Sequence, residues 1–423
     1  MKRLRRMALE DSSSSEEEEE DDDDFDTVLG MIFNDDVRWP RRGSQFSRID
    51  INRDIAESHA KITRDYFDPN PIYPEKYFRR SFQMHTSPFL NIAKAVERYD
   101  DRFTLRRNAC GEISASPLMK CIAAVRVVSY GCSIDAIHDY VHIGQDTILE
   151  VVRRFTKAVI AAFGPEYLRA PTEEDTQRLM TESEARGWPR MLGSLDCMHW
   201  RWKNCPAGWK GQYKGHVNDP KIILEAFASK DLWTWHSFFG LPGSHSDLNV
   251  LLRSPLFSRL IKGEAHVCDY SVNGHNYSMG YYLADGIYPS WATLVKTIPR
   301  PKGNKNTHFV QCQEVARKDV ERAFGVLQKR FAIVDGPAEY WNSKVLWRIM
   351  TCCIILHNMI IEDKRDMPEN FQYIINGTPV EPEYDTNRIL SFLEHHRKIE
   401  NRQVHTQLQQ DHLEHHWQRL SES

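Results

Sequence analysis

The sequence predicts an α/β fold built on one mixed sheet, and three observations predict it. The first is a change of hydrophobic period near residue 190, from helical spacing to short β-rich runs. The second is the order of the runs that follow: a strand, a hairpin, a helix, a further strand and then long helices. The third is that two of the strand-like runs end on an aspartate, Asp196 in "MLGSLDCMHW" and Asp285 in "YYLADGIYP". Turn formation alone accounts for one such aspartate. Two of them, on strands of one sheet, also describe two walls of a metal site.

Composition sets the limits. The chain has 423 residues, 41% hydrophobic and 11% aromatic, enough for a large core and two or three domains. No apolar run reads as a bilayer span, and "MKRLRRMALEDSSSS" does not read as a secretory leader. No tandem repeat is visible. Nine cysteines without a CxxC pair fit a reducing compartment, cytosol or nucleus. The net charge of −4 hides an asymmetry: residues 1–26 hold twelve acids and four bases, and the remainder holds 47 acids against 51 bases. The body is mildly basic behind an acidic tail.

Along the chain, "SSSSEEEEEDDDD" cannot bury apolar surface, so residues 1–45 read as a disordered acidic tail. Its bland role is to solubilise. Histone contact or shielding of a DNA surface are the alternatives, and "KRLRR" is a weak import signal. Residues 46–186 read as helical. "SPFLNIAKAVERYDD" starts on Ser87 and Pro88, and "ASPLMKCIAAVRVVSYG" starts on Ser116 and Pro117 and stops at Gly131. "SIDAIHDYVHI", capped by Ser133, then a turn at His142-Ile143-Gly144, then "GQDTILEVVRRFTKAVIAAFG" to Gly164, make a helix-turn-helix pattern within about 101–165. Read as a DNA binder, this pattern puts Gln145, Asp146 and Thr147 near base edges, and Arg153, Arg154 and Lys157 near phosphate. Read plainly, it is a helical bundle. "RAPTEEDTQRLMTESEARGWP" is a helix in an acidic connector.

Residues 187–365 carry the α/β pattern. "KIILEAFASKDLWTWHSFFGLPGS" is a hairpin turning at Ser229-Lys230-Asp231. "DLNVLLRSPLFSRLIKG" is a crossover helix, and "YSMGYYLADGIYP" is the fourth strand. "FVQCQEVARKDVERAFGVLQKRFAIV" is a long helix with Val315, Val320, Phe324 and Leu327 on its apolar face, and "SKVLWRIMTCCIILHNMIIEDK" is a buried helix. Residues 366–423 are a polar tail whose Gln/His-rich helix, 391–420, reads as loosely attached. RNase H-like folds have this order of elements. In that topology the first and fourth strands end side by side, so Asp196 and Asp285 share a crevice. The following long helix offers Asp319 and Glu321, and Glu321 sits at the border of the buried face, about 100° from Val320.

Converging carboxylates suit a pair of Mg²⁺ or Mn²⁺ ions, which require hard oxygen ligands with open positions for water and phosphate. Without metal, such carboxylates repel and at least one takes up a proton. Asp247, at the start of "DLNVL", is a possible auxiliary acid; Ser246 or Asp247 could equally cap the crossover helix. Asp269 has no motif support. "HWRWKNCPAGWKGQYKG" interleaves Arg201, Lys203, Lys210 and Lys214 with Trp200, Trp202, Trp209 and Tyr213, and Arg317, Lys318 and Arg322 flank Glu321. The bases suit phosphates, and the rings suit either unpaired bases or the protein core. "DCMH" has no second pair at zinc spacing.

The stretches "GSLDCMHWRWKNCPAGWKGQYKG", "FFGLPGSHSDLNVLLRSPLF", "YYLADGIYPSWATLVKTI" and "ARKDVERAFGVLQKRFAIV" resemble the PIF/Harbinger superfamily of DDE transposases, in its plant and oomycete branch. The resemblance covers about residues 100–365. It implies that Asp196, Asp285 and Glu321 are the DDE triad, with 35 residues between the last two. It also implies two catalytic Mg²⁺ ions, cleavage at terminal inverted repeats with possible strand transfer, and a short AT-rich target. A Myb/SANT-like partner, nuclear localisation that depends on that partner, and a homo-oligomer belong to the same implication. The helix-turn-helix pattern falls where this family has such a domain. Asp335 replaces a residue that is usually basic in relatives. A domesticated, non-catalytic DNA-binding or scaffold protein is the rival reading.

Overall fold

The computed structural model describes residues 53–107, 111, 113–215, 219–257, 269–365 and 396–422. They belong to one unit, Arg53–Ser423. The acidic tail, the "KRLRR" stretch and residues 366–395 of the polar C-terminal segment lie outside the described residues.

Seven helices come first among the described residues: α1 (Ile55–Tyr66), α2 (Glu75–Phe82), α3 (Thr86–Tyr99), α4 (Pro117–Tyr130), α5 (Asp135–Val141), α6 (Gln145–Tyr167) and α7 (Glu173–Ala185). Their starts follow local chemistry. Ser116 Oγ accepts from Met119 N at 3.3 Å with Pro117 in the first turn. Thr172 and Asp175 form a reciprocal capping box on α7. α4 stops at Gly131, whose φ is +54°; a Cβ there would stand 2.7 Å from the backbone of Ala332. Two boundaries differ from the sequence expectation. α3 begins at Thr86 rather than after Ser87, because Glu75 accepts from Thr86 N and Oγ1 at 2.8 and 2.6 Å. α6 runs past Gly164 and through Pro165 to Tyr167, and Leu168 N still reaches Gly164 O at 2.9 Å.

The sheet holds β1 (Met191–Arg201), β2 (Lys221–Ala228), β3 (Thr234–Pro242), β6 (Tyr281–Ala284) and β7 (Leu294–Lys296), in the order β3-β2-β1-β6-β7. A separate hairpin, β4 (Tyr270–Val272) and β5 (His275–Tyr277), turns on Asn273 and Gly274, both at positive φ as a two-residue hairpin requires. β1–β2 and β2–β3 are antiparallel, whereas β6 lies parallel to β1 and β7 parallel to β6. The fold is mixed α/β.

α8 (Lys210–Tyr213) and α9 (Asp247–Leu251) are short. The expected crossover helix is therefore five residues long, followed by a 3₁₀ turn at Pro255–Phe257. Pro255 disfavours helical backbone at Ser254, and residues 258–268 lie outside the described ones. α10 (Gly303–Arg330) crosses β1, β2 and β6. After α11 (Ala332–Asp335), α12 (Ser343–Lys364) packs along α6 and against β3. α12 is long and apolar enough to cross a membrane by length and composition, which the sequence reading did not register. Here it is a core helix, buried almost all round. Asn358 ties it to the sheet: its amide donates to Tyr167 O and Thr234 O, both at 2.7 Å, and accepts from Thr234 N at 2.9 Å.

Val315, expected on the buried face of α10, is 68% exposed. It lies five residues before Val320, roughly 140° round the helix; Gln313, Ala316 and Asp319 take the inner positions instead. The C-terminal helix α13 (Arg402–Glu422) is firmly docked rather than loosely attached. Leu408, Leu413 and His412 bury beside Trp188, Tyr281 and Phe309, and Gln409 donates to Lys296 O at 2.8 Å on the outer strand β7. α13 thereby covers a sheet edge that would otherwise be open.

Candidate active site

Alternation along β1 gives Ser194, Asp196, Met198 and Trp200 one face of the sheet. Ser194 Oγ donates to Ala316 O at 2.8 Å and Trp200 Nε1 donates to Gly336 O at 2.8 Å, so this face meets α10 and the turn after it. Asp196 therefore points toward the stretch of α10 that follows Ala316. Arg317 Nη1 lies 3.4 Å from Asp196 Oδ2 and 2.8 Å from Glu321 Oε1. Both carboxylates thus converge on one guanidinium nitrogen.

Asp285 is carried by the neighbouring strand. β1 and β6 run parallel with Ser194 opposite Leu283, and Asp285 follows directly after β6 and acts on Asp247. Buried Gln313, one turn before Arg317, fixes the strand ends by donating to Ala284 O and Val295 O at 3.0 and 3.3 Å. Gln313, Arg317 and Glu321 form one i, i+4, i+8 stripe on α10 over the ends of β1 and β6. Each aspartate also accepts from the next backbone N–H: Cys197 N at 2.8 Å for Asp196, Gly286 N at 2.6 Å for Asp285.

Ser246 caps α9, accepting from Asn249 N at 3.4 Å, so Asp247 has no capping role. Its carboxyl lies in the field of the others. Burial pushes it up, and Asp285 and Glu225 add to the rise, against His199 and a hydrogen bond with Cys197. Burial likewise raises Asp196, to about 6; the Cys197 N–H and Arg317 oppose the rise, and Glu321 and Asp247 reinforce it. Asp196 thus feels Glu321 and Asp247, and Asp247 in turn feels Asp285.

Asp319, the other acid weighed on this helix, is fully buried and engaged. It pairs with Arg186 Nη1 at 2.6 Å and with Arg322. It clamps α10 to the segment after α7 and has no face toward Asp196.

Of the bases expected to hold DNA, Lys157, Arg201, Lys210 and Lys318 are exposed. Lys203 is exposed but paired with Glu339 at 2.8 Å, and Lys214 is half-buried. Arg322 is half-exposed and shares Asp319. Three differ from the expectation of an open phosphate contact. Arg154 pairs with Glu150 and Asp100 at 2.8 and 3.2 Å. Arg153 is half-buried with its charge acting on half-buried Tyr340. Arg317 lies inside the acid cluster. Of the rings, Trp200, Trp202 and Tyr213 are core, and Trp209 is 45% exposed. The sequence reading missed Gln313 and the bridging position of Arg317, although the i, i+4 spacing of Arg317 and Glu321 signals such a pair.

Among the described residues no group of three or more His, Cys, Asp or Glu side chains is assembled at metal-binding distance. The donor set nevertheless suits a hard divalent cation. It is all carboxylate, and Asp196 and Glu321 already hold one cationic group between them.

Comparison with known proteins follows the same residues. A family model described as plant transposon protein matches residues 165–368, which span Asp196, Asp247, Asp285 and Glu321. A domain of unknown function matches residues 59–97, the region of α1 to α3. Protein ALP1-like of Arabidopsis thaliana is 24% identical over 326 residues, covering 74% of this chain and 75% of that protein. No solved structure matches. Residues 165–368, a little under half of the chain, are thus similar to the plant transposon proteins.

Proposed function

We propose that the chain is a Harbinger-type transposase, or a nuclease descended from one, that cleaves DNA phosphodiesters with divalent metal. One observation carries this reading: Asp196 on β1 and Glu321 on α10 converge on Arg317 Nη1 at 3.4 and 2.8 Å, and Asp285 follows directly after β6, the parallel neighbour of β1. The strand order β3-β2-β1-β6-β7, with β6 parallel to β1, supports an RNase H-like catalytic domain over residues 187–365. The helical region 46–186, with its turn at His142 (φ +54°) between α5 and α6, supports a helix-turn-helix-like module at about 101–165.

In this reading Asp196, Asp285 and Glu321 hold Mg²⁺ or Mn²⁺, two ions together, with Asp247 as an auxiliary acid. Bound there, the ions supply an activated water and stabilise the leaving oxygen. Asp196 and Asp285 orient that water and the scissile phosphate across the end of the sheet. Lys157, Arg201, Lys203, Lys210, Lys214, Lys318 and Arg322 are the phosphate contacts, and Trp209 stacks an unpaired base. Arg153 and Arg154 act through the packing of α6. The substrate is DNA bearing terminal inverted repeats, with strand transfer to an AT-rich target following cleavage. A nuclear site of action, a Myb/SANT-like partner and a homo-oligomer complete the proposal.

The test is a cleavage assay on terminal-repeat DNA with Mg²⁺, Mn²⁺ and Ca²⁺. Scission with Mg²⁺ or Mn²⁺ supports the nuclease. Binding of the repeats without scission in any metal favours the non-catalytic scaffold.

A further inference from the structure

Arg317 occupies the point on which Asp196 and Glu321 converge. One nitrogen, Nη1, serves both carboxylates at 3.4 and 2.8 Å. The side chain is 14% exposed, and Nε is buried without a hydrogen-bond partner. A guanidinium has five donors in a rigid fork, and leaving one buried and unused carries a desolvation cost. The pairing is also incomplete in charge. One positive group serves two carboxylates, with Asp247 acting on the same cluster from α9. A divalent cation would balance such a set better, but it must compete with a cation already in place. Other bases nearby are differently committed: Arg322 is held by Asp319, and Lys318 is exposed.

Phosphate offers Arg317 an alternative. Arginine binds phosphate through two parallel N–H bonds, a geometry that the single-nitrogen contact to Asp196 and Glu321 does not use. We propose that Arg317 is an internal latch on this site: without DNA it stands in for a divalent cation between Asp196 and Glu321, and it leaves for a DNA phosphate, so that metal loads with DNA rather than before it. The latch rests on the metal-nuclease reading above. It adds an order of events to that reading, one that keeps the free protein from carrying a loaded site.

The experiment is Mn²⁺ binding to the full chain, read by calorimetry and by the free-ion paramagnetic resonance signal. It is run with and without a duplex of random sequence, after subtraction of the duplex alone. Without DNA, Arg317→Gln is expected to bind Mn²⁺ about tenfold or more tightly than wild type, and Arg317→Lys to stay near wild type. Adding the duplex should tighten wild-type binding by a similar factor and change Arg317→Gln little. Equal or weaker binding by Arg317→Gln without DNA overturns the latch. If thermal melting shows that this variant does not fold, the wild-type comparison decides, and an affinity unchanged by duplex overturns it. Metal binding by wild type that ignores both DNA and Arg317 removes the latch and leaves the nuclease reading standing. No Mn²⁺ binding by any form, with or without DNA, removes both.

Discussion

The C-terminal helix should come off its seat in mild acid. α13 docks through His405, Leu408, His412, Leu413 and His416, all of them buried. The rings of His412 and His416 lie 5.4 and 4.3 Å from that of Trp188, and His412 lies 4.8 Å from Tyr281. Both ring nitrogens of His405 and His412, and Nε2 of His416, are buried without hydrogen-bond partners. These imidazoles serve as neutral aromatic rings. Burial pulls His416 down to about 4, helped by His415, His308 and Arg419, and pulls His405 down to about 4, helped by Lys296 and Arg402. Burial also holds His412 well below the ordinary imidazole range, helped by His416 and His415. Moving one imidazole from an ordinary 6.5 to about 4 is worth about 3 kcal/mol. The undocked helix binds the additional protons, so the docked state is fully favoured above pH about 6.5 and loses ground as pH falls toward 4. Asp411, which accepts from Tyr277 and pairs with His275, and the pair of Lys305 with Glu414 also hold α13 and oppose release. Two histidines together still amount to about 6 kcal/mol, comparable with the whole stability of many domains. The assay is hydrogen exchange of residues 402–422 across pH, corrected for intrinsic rates, on wild type and His416→Phe. The phenylalanine keeps a ring on Trp188 and removes one proton site, so its loss of protection should occur at lower pH. Coincident midpoints, or full protection of α13 near pH 4.5 in wild type, would refute the reasoning.

Two further outcomes follow from the ion pairs and the exposed bases. Asp319→Asn should destabilise the fold by about 3–5 kcal/mol, since it leaves Arg186 facing a buried neutral partner; denaturant unfolding measures it, and a loss under about 1 kcal/mol would contradict the clamp. Lys157→Ala and Lys210→Ala should each weaken DNA binding across sequences and flatten the salt dependence by about one unit of slope, which filter binding at several salt concentrations reads directly.

The sequence carried the β elements well because their signals are local. The period change at 190, the turn at Ser229-Lys230-Asp231 and the aspartate after β6 depend on neighbours a few residues away. β1, by contrast, does not end on Asp196 as expected but runs on to Arg201, because its pairing with β2 continues to Lys221. Features that depend on distant partners were less legible. The start of α3 is set by Glu75 on another helix, not by Ser87. α13 looked detached because His405, Asp411, His412 and His416 make up most of its buried face, and no hydropathy pattern marks them as core. Its contacts come from Trp188 and Tyr281, far away in the chain. The apolar face of α10 was misjudged at Val315, where hydrophobic type outweighed helical angle. In the site, Asp196 and Glu321 converge on Arg317, while Asp319, the other acid weighed on α10, is spent on Arg186 and Arg322. Arg317 was placed on DNA by its charge alone, although its spacing from Glu321 already described a helix ion pair.

The central claim is that carboxylates midway along β1, just past β6 and on α10 perform the chemistry, and Asp285 tests it most directly. It follows directly after β6, the parallel neighbour of β1, and asparagine keeps its shape while removing the charge and, on the proposed reading, a strong metal ligand. The measurement is single-turnover strand cleavage of terminal-repeat DNA with Mg²⁺, with folding and end binding followed in parallel. The account predicts no detectable product from Asp285→Asn, and the same from Asp196→Asn and Glu321→Gln, with end binding nearly intact and a smaller loss for Asp247→Asn. Cleavage by Asp285→Asn at near wild-type rate would contradict it.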